Sequence, residues 1–160
     1  MKTLILSITF SLSAMFSWSQ TETSTTLTWY NDVSLASDAA ILANKPMLFF
    51  FTGSDWCGWC HRLQREVFNT TQFSTWASTD VILVELDFPR NKVLPQNIKD
   101  QNQLLQQQFG IQGYPTVYFV NVTKEGNNYN LSKIPTSTGY MQGGPDVWIT
   151  NAKAIIAGGK

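Results

Sequence analysis

The sequence predicts one α/β domain, a central mixed sheet flanked by helices on both faces. Three observations carry that prediction. Two runs, Met47–Thr52 and residues 81–87, are apolar enough to be strands covered on both sides. Segments whose apolar residues recur at helical spacing alternate with them. The 160 residues, 43% hydrophobic and 13% aromatic, suffice for a single core.

Residues 1–19 are expected to be a secretory signal peptide. Met1-Lys2 gives a positive start, residues 4–16 are mostly apolar, and Ser17-Trp18-Ser19 places small residues at a cleavage site. The apolar run of about 15 residues is short for a membrane span of roughly 20. No stable membrane insertion is expected after cleavage. Residues 20–26 form a polar Thr/Ser lead-in, and 27–160 form the domain.

Within that domain, residues 27–30 read as a short first strand. Residues 34–44 read as a helix through Leu35, Ala39, Ala40, Leu42 and Ala43, stopped by Lys45-Pro46. Met47–Thr52 is the central strand. Residues 57–68 are helical, with Cys60, Leu63, Val67 and Phe68 on one side; Thr70 or Thr71 caps a helix carrying Phe73, Trp76 and Ala77. Residues 81–87 form the second buried strand, ending with Glu85 and Asp87 on one face. A two-proline loop leads to a helix over 98–109, with Ile98, Leu104, Leu105 and Phe109 inward and Gly110 as its stop. Residues 116–122 and 129–134 form a hairpin. Pro145 opens a last helix whose apolar side is Val147, Trp148, Ile149, Ala152, Ile155 and Ile156. The alternation implies a mostly parallel sheet with an antiparallel edge.

Composition narrows the function. Lysine and arginine number 11, aspartate and glutamate 11. That balance excludes the basic excess of a nucleic-acid binder and a polybasic membrane attachment. Signal cleavage removes Lys2 and no acid, leaving 10 basic against 11 acidic residues. Both cysteines remain, in a chain expected to be exported to a periplasm, so their use is first a redox question.

Both lie in Trp56-Cys57-Gly58-Trp59-Cys60-His61, after an apolar strand and at the start of a helix. Spacing of three brings the sulfurs onto one helical face. A helix N-terminus favours thiolate and lowers the thiol pKa. Cys57 is thus the expected nucleophile, and Cys60, one turn in, the resolving cysteine. Gly58 and Trp59 shape the loop; Trp56 and Trp59 offer an apolar rest for an unfolded substrate.

The stretches KPMLFFFTGSDWCGWCHRL and FGIQGYPTVYFV resemble the thioredoxin superfamily, and the SDWCGWC signature resembles its secreted or periplasmic branch. The resemblance covers residues 27–157. It implies a thioredoxin fold, and an exported thiol–disulfide oxidoreductase, reductase or isomerase, with no cofactor beyond the Cys57–Cys60 disulfide. It implies protein thiol or disulfide substrates and a membrane or soluble thiol electron donor. It also makes Pro115 a cis-proline, with the Tyr114 backbone meeting substrate. The family's buried acid six residues before the first cysteine is replaced by Phe51, and Leu83 occupies the expected lysine position. Glu85, Asp55 or water is left as proton acceptor for Cys60.

Three alternatives compete. C-x-x-C-H is also a c-type haem attachment signature, with His61 the only histidine and Met47 or Met141 the remaining axial candidates. A structural disulfide in a non-catalytic binding module is the second, although so short a loop gives little entropic stabilisation. A metal site is the third, but two thiolates and one histidine are an incomplete set.

Overall fold

A computed structural model of the protein describes residues 27–159, so the expected signal peptide and lead-in lie outside the described residues. The elements in chain order are β1 (Trp29–Tyr30), α1 (Val33–Ala43), β2 (Met47–Thr52), α2 (Gly58–Leu63), α3 (Thr71–Asp80), β3 (Ile82–Asp87), α4 (Gln96–Phe109), β4 (Thr116–Glu125), β5 (Asn128–Lys133) and α5 (Gly144–Gly158). A π-helical turn, Gln64–Phe68, extends α2.

The strands form one sheet in the order β1-β3-β2-β4-β5. The β1/β3 and β3/β2 pairs are parallel, while β2/β4 and β4/β5 are antiparallel. The sheet is therefore evenly mixed rather than mostly parallel. No helix separates β4 from β5; a hairpin turn at Gly126, φ +58°, joins them instead.

Every residue of β2 is buried, as a central strand with two covered faces requires. Leu48 and Phe50 point to one core with Leu63, Val67, Phe73, Phe119 and Trp148. Met47, Phe49 and Phe51 point to the other with Ala36, Ala40, Leu105 and Phe109. So α2, α3 and α5 cover one face, and α1 and α4 the other.

Two inward faces differ from expectation. In α1 the buried residues are Val33, Ala36, Ser37 and Ala40, while Leu35 and Leu42 are 60% and 90% exposed. Small side chains bring this helix close to the sheet, near enough for the Ser37 hydroxyl to reach the Met47 sulfur at 3.9 Å. In α4 the buried stripe is Ile98, Asn102, Leu105 and Phe109, a regular i, i+4, i+7, i+11 series. Leu104 falls a third of a turn away and is exposed, and so is Val147 of α5.

Caps close several helix ends. Asp32 accepts from the N–H groups of Ser34 and Leu35, and Thr70 from Phe73. Asn44 and Gly110 end α1 and α4 in left-handed conformation.

Trp148 is fully buried against Phe68, Phe73 and Trp76, and its indole N–H donates to the Gly139 carbonyl at 2.9 Å. Trp148→Ala is expected to cost about 3–5 kcal/mol of stability, read as a lower urea midpoint with an unchanged slope.

Candidate functional site

The site begins where β2 ends. Gly53 follows Thr52, and its carbonyl accepts the N–H groups of Trp56 and Cys57 at 3.2 and 2.9 Å, closing a turn. The Trp56 indole lies so close over Gly53 that any Cβ there would collide with it. Glycine is required by that approach rather than by backbone angle.

The turn delivers Cys57 to the N-cap of α2. Cys57 and Cys60 are joined by a disulfide, with Cα atoms 5.2 Å apart. The Cys57 sulfur accepts the Cys60 N–H at 3.2 Å. Cys57 is 5% exposed and Cys60 fully buried. Gly58 and His61 are exposed, and the His61 ring meets the Ser54 carbonyl at 2.8 Å.

Each tryptophan of the motif sits in a group with one arginine and one tyrosine. Trp56 packs edge-on against Tyr114 at 5.7 Å, with the Arg90 guanidinium 4.0 Å from its ring centre. Its N–H donates to the Phe88 carbonyl at 2.8 Å. Trp59, 56% exposed, lies 5.3 Å from Tyr140, and Arg62 is within 5.4 Å of both rings. Glu66 ties this second group together. It accepts from Arg62 at 2.8 Å and from the Tyr140 hydroxyl at 2.6 Å. The Tyr140 bond, then the Arg62 bond, holds its carboxyl below the usual glutamate range. Arg62 and Glu66 form the frame under Trp59.

Buried polar contacts hold the loop behind Cys57. Asp87, at the end of β3, accepts the Ser54 N–H at 2.8 Å and the Ser54 hydroxyl at 2.6 Å. The buried Asn102 amide donates to the Asp87 carbonyl at 3.0 Å. Asp55 turns outward and accepts the backbone N–H groups of Arg90, Asn91 and Lys92. Those bonds lower its pKa. Asp55 is thus a loop fastener.

Residues 114–116 come from elsewhere in the chain. The Tyr114–Pro115 peptide bond is cis. The Tyr114 hydroxyl accepts from Gln106 at 2.6 Å. Gly139 presses against the Pro115 carbonyl, which a Cβ would meet at 2.8 Å, and Thr138 pairs with Val117 through two backbone bonds. This segment carries Tyr140 to the site. Nothing in its spacing marks it; it becomes visible only once β4 lies beside β2.

The acid position does need correction. Phe51 is buried in the core covered by α1 and α4, and its β3 neighbour is Leu86; Leu83 stands beside Leu48. Parallel register shifts the pairing three residues from the expected one. Glu85 pairs with Phe50 and so shares the α2 face of the sheet, half-buried. Burial first, then the charge of Asp87, pushes its carboxyl above the ordinary glutamate pKa of 4.5.

The haem alternative needs both sulfurs for thioether bonds, but here they bond to each other. Met47 is fully buried in the opposite core from the disulfide, and Met141 sits beside the disulfide-side core, accepting from Thr138 at 3.6 Å. Among the described residues no group of three or more His, Cys, Asp or Glu side chains is placed to hold a metal. None of their helices is long and apolar enough to cross a membrane.

A family model described as a thioredoxin-like domain matches residues 33–141. The chain is 31% identical over 113 residues to disulfide bond reductase DsbH of Chlamydia pneumoniae, covering 71% of this chain and 63% of that protein. It is 26% identical over 133 residues to thioredoxin-related protein DsbJ of the same organism, covering 83% and 38%. The chain thus spans less than two thirds of the length of these curated relatives. Among solved structures, a DsbH oxidoreductase superposes with a TM-score of 0.75 at 23% identity, over 91% of this chain and 95% of that one. A thioredoxin from Thermus thermophilus gives 0.56 at 13% identity, over 83% and 89%. These structural likenesses show the fold, which is the thioredoxin fold.

An acid whose pKa rises on folding resists ionisation more in the native than in the unfolded state. Stability from Glu85 is therefore intact below pH 4.5 and lost as pH rises through the raised folded value. Glu85→Gln is expected to raise the urea midpoint at pH 7 and to bring little gain at pH 4.

Proposed function

This chain belongs to the family of thioredoxin-like domains, and we propose on that premise that it is an exported thiol–disulfide oxidoreductase acting on protein substrates. The observation that carries the reading is the Cys57–Cys60 pair at the start of α2, with Cys57 5% exposed and Cys60 fully buried.

In the reduced form, the Cys57 thiolate attacks one sulfur of a substrate disulfide. A mixed disulfide forms and one substrate thiolate leaves. Cys60 then attacks the Cys57 sulfur, and the second substrate thiolate is released. The substrate gains two electrons and two protons, and the protein keeps the Cys57–Cys60 disulfide. A membrane or soluble dithiol donor restores the reduced form. Isomerase action would use the same first step, with the substrate's own thiol resolving the intermediate.

Several features support these roles. The Cys60 N–H already points at the Cys57 sulfur, and a hydrogen bond to sulfur favours thiolate. Cys60 is screened from external disulfides by burial, yet it sits within bonding reach of Cys57. Trp56, Trp59 and Tyr114 surround the pair with apolar surface for an unfolded chain. Tyr114 lies just ahead of β4, where its backbone can pair with an extended substrate, while Pro115 has no N–H of its own to offer. Export rests on the signal-like residues 1–19.

Disulfide exchange between the reduced protein and a series of disulfide-bonded protein substrates tests the reading. Cys57→Ser is expected to bring the rate down to the uncatalysed one. Cys60→Ser is expected to accumulate the mixed disulfide, visible as a thiol-sensitive band, and Pro115→Thr to lengthen the life of the same complex. Retained turnover in Cys57→Ser would overturn the nucleophile assignment, and a Cys57–Cys60 pair that does not cycle would leave a binding module. A reduction potential near about −270 mV would place the protein among reductases, and one near about −120 mV among disulfide donors.

A further inference from the structure

Basic and acidic residues balance over the whole chain, 11 against 11, but not in the lining of the cleft behind Trp56. That cleft has a volume of about 360 Å³ and opens between the loop after β3 and the first turns of α4. Its charged lining is Arg90, Lys92 and Lys99 against a single carboxylate, Asp87. Asp87 is buried, and both its oxygens are turned onto Ser54, with Lys92 at 3.8 Å. Arg90 is held by the face of Trp56, which orients a guanidinium without cancelling its charge. Lys99 is exposed and makes no ion pair among the described residues.

Two acids beside the lining keep their charge while their oxygens are engaged, so the basic excess is that of the lining itself. Asp55 accepts the amides of residues 90–92, and Asp100 accepts from Gln96 at 2.7 Å. Val93 stands 91% exposed at the rim, with Leu94 in the wall. The cleft adjoins the active-site loop through Phe88, whose carbonyl accepts the Trp56 indole N–H at 2.8 Å.

The geometry points to a specificity site: the cleft takes an acidic, extended segment flanking the disulfide of the substrate protein. Its carboxylates meet Lys92 and Lys99, and an apolar side chain rests on Val93 and Leu94. This deepens the oxidoreductase reading and rests on it. Charges placed this way raise the rate of encounter with an opposite partner and lose that effect in salt.

The test uses the mature protein, reduced and freed of reductant, and two peptides with an internal disulfide flanked on both sides by Glu-Glu or by Gln-Gln. Each transfer moves two electrons from the Cys57/Cys60 dithiol to the peptide, leaving a peptide dithiol and a protein disulfide. The Glu-flanked peptide is expected to react about tenfold faster at about 10 mM salt, with the ratio falling to about two at about 0.5 M. In Lys92→Gln/Lys99→Gln the low-salt ratio is expected to fall to about one, whereas Lys153→Gln, in α5, leaves it near ten. Equal rates on both peptides, or a ratio that survives in the double variant, would overturn the cleft assignment alone. Exchange with neither peptide would overturn the oxidoreductase reading and the cleft with it.

Discussion

Six consecutive residues of β2 must be kept from water on both sides, and the rest of the domain is arranged around that requirement. Met47 through Thr52 carry three phenylalanines in a row, each 1% exposed or less. A strand of this kind demands hydrogen-bonding neighbours on both edges and helices over both faces. β3 and β4 supply the edges, α1 and α4 one face, and α2, α3 and α5 the other. The same strand then sets the place of the disulfide. Because β2 cannot shift by one residue without exchanging its two cores, the turn at Gly53 starts from a fixed point.

From that point the loop is held by polar contacts rather than by packing alone. Asp87 ends the neighbouring strand directly beside Thr52, and its carboxylate takes both donors of Ser54. Asp55 and Trp56 fasten the outer side to residues 88–92. On the other flank, Glu66 joins Arg62 to Tyr140 beneath Trp59. The cysteines thus sit between two aromatic groups whose positions are fixed from opposite directions. A small rigid site of this kind presents sulfur to a partner without having to reorganise.

Much of this could be read from the chain in advance, for a physical reason: local signals describe local structure. The β2 span, the N-cap at Thr70, the stop at Gly110 and the helix after Cys57 all depend on neighbours within a few residues. The errors came where distance mattered. Leu35 and Leu42 suggested an inner face for α1, but the sheet selected alanines and a serine that allow close approach. The partner of Phe51 was misplaced because parallel register is set by a crossover through α2 and α3, not by either strand. Asp87, Arg90, Asn102 and Tyr140 became part of the site only through contacts spanning 15 or more residues. Nothing in their immediate surroundings announces them.

The unequal strand lengths bear on how crowded molecules of this protein behave towards one another. The segment with the composition of a self-stacking β-spine, uncharged and rich in phenylalanine, is sealed in the middle of the sheet. The two outer strands are poor templates by comparison. β1 is two residues long, and β5 reads Asn-Tyr-Asn-Leu-Ser-Lys, with four of its six side chains exposed. A neighbouring molecule therefore finds no long apolar rim along which to zip, and strand addition from chain to chain is discouraged at both borders.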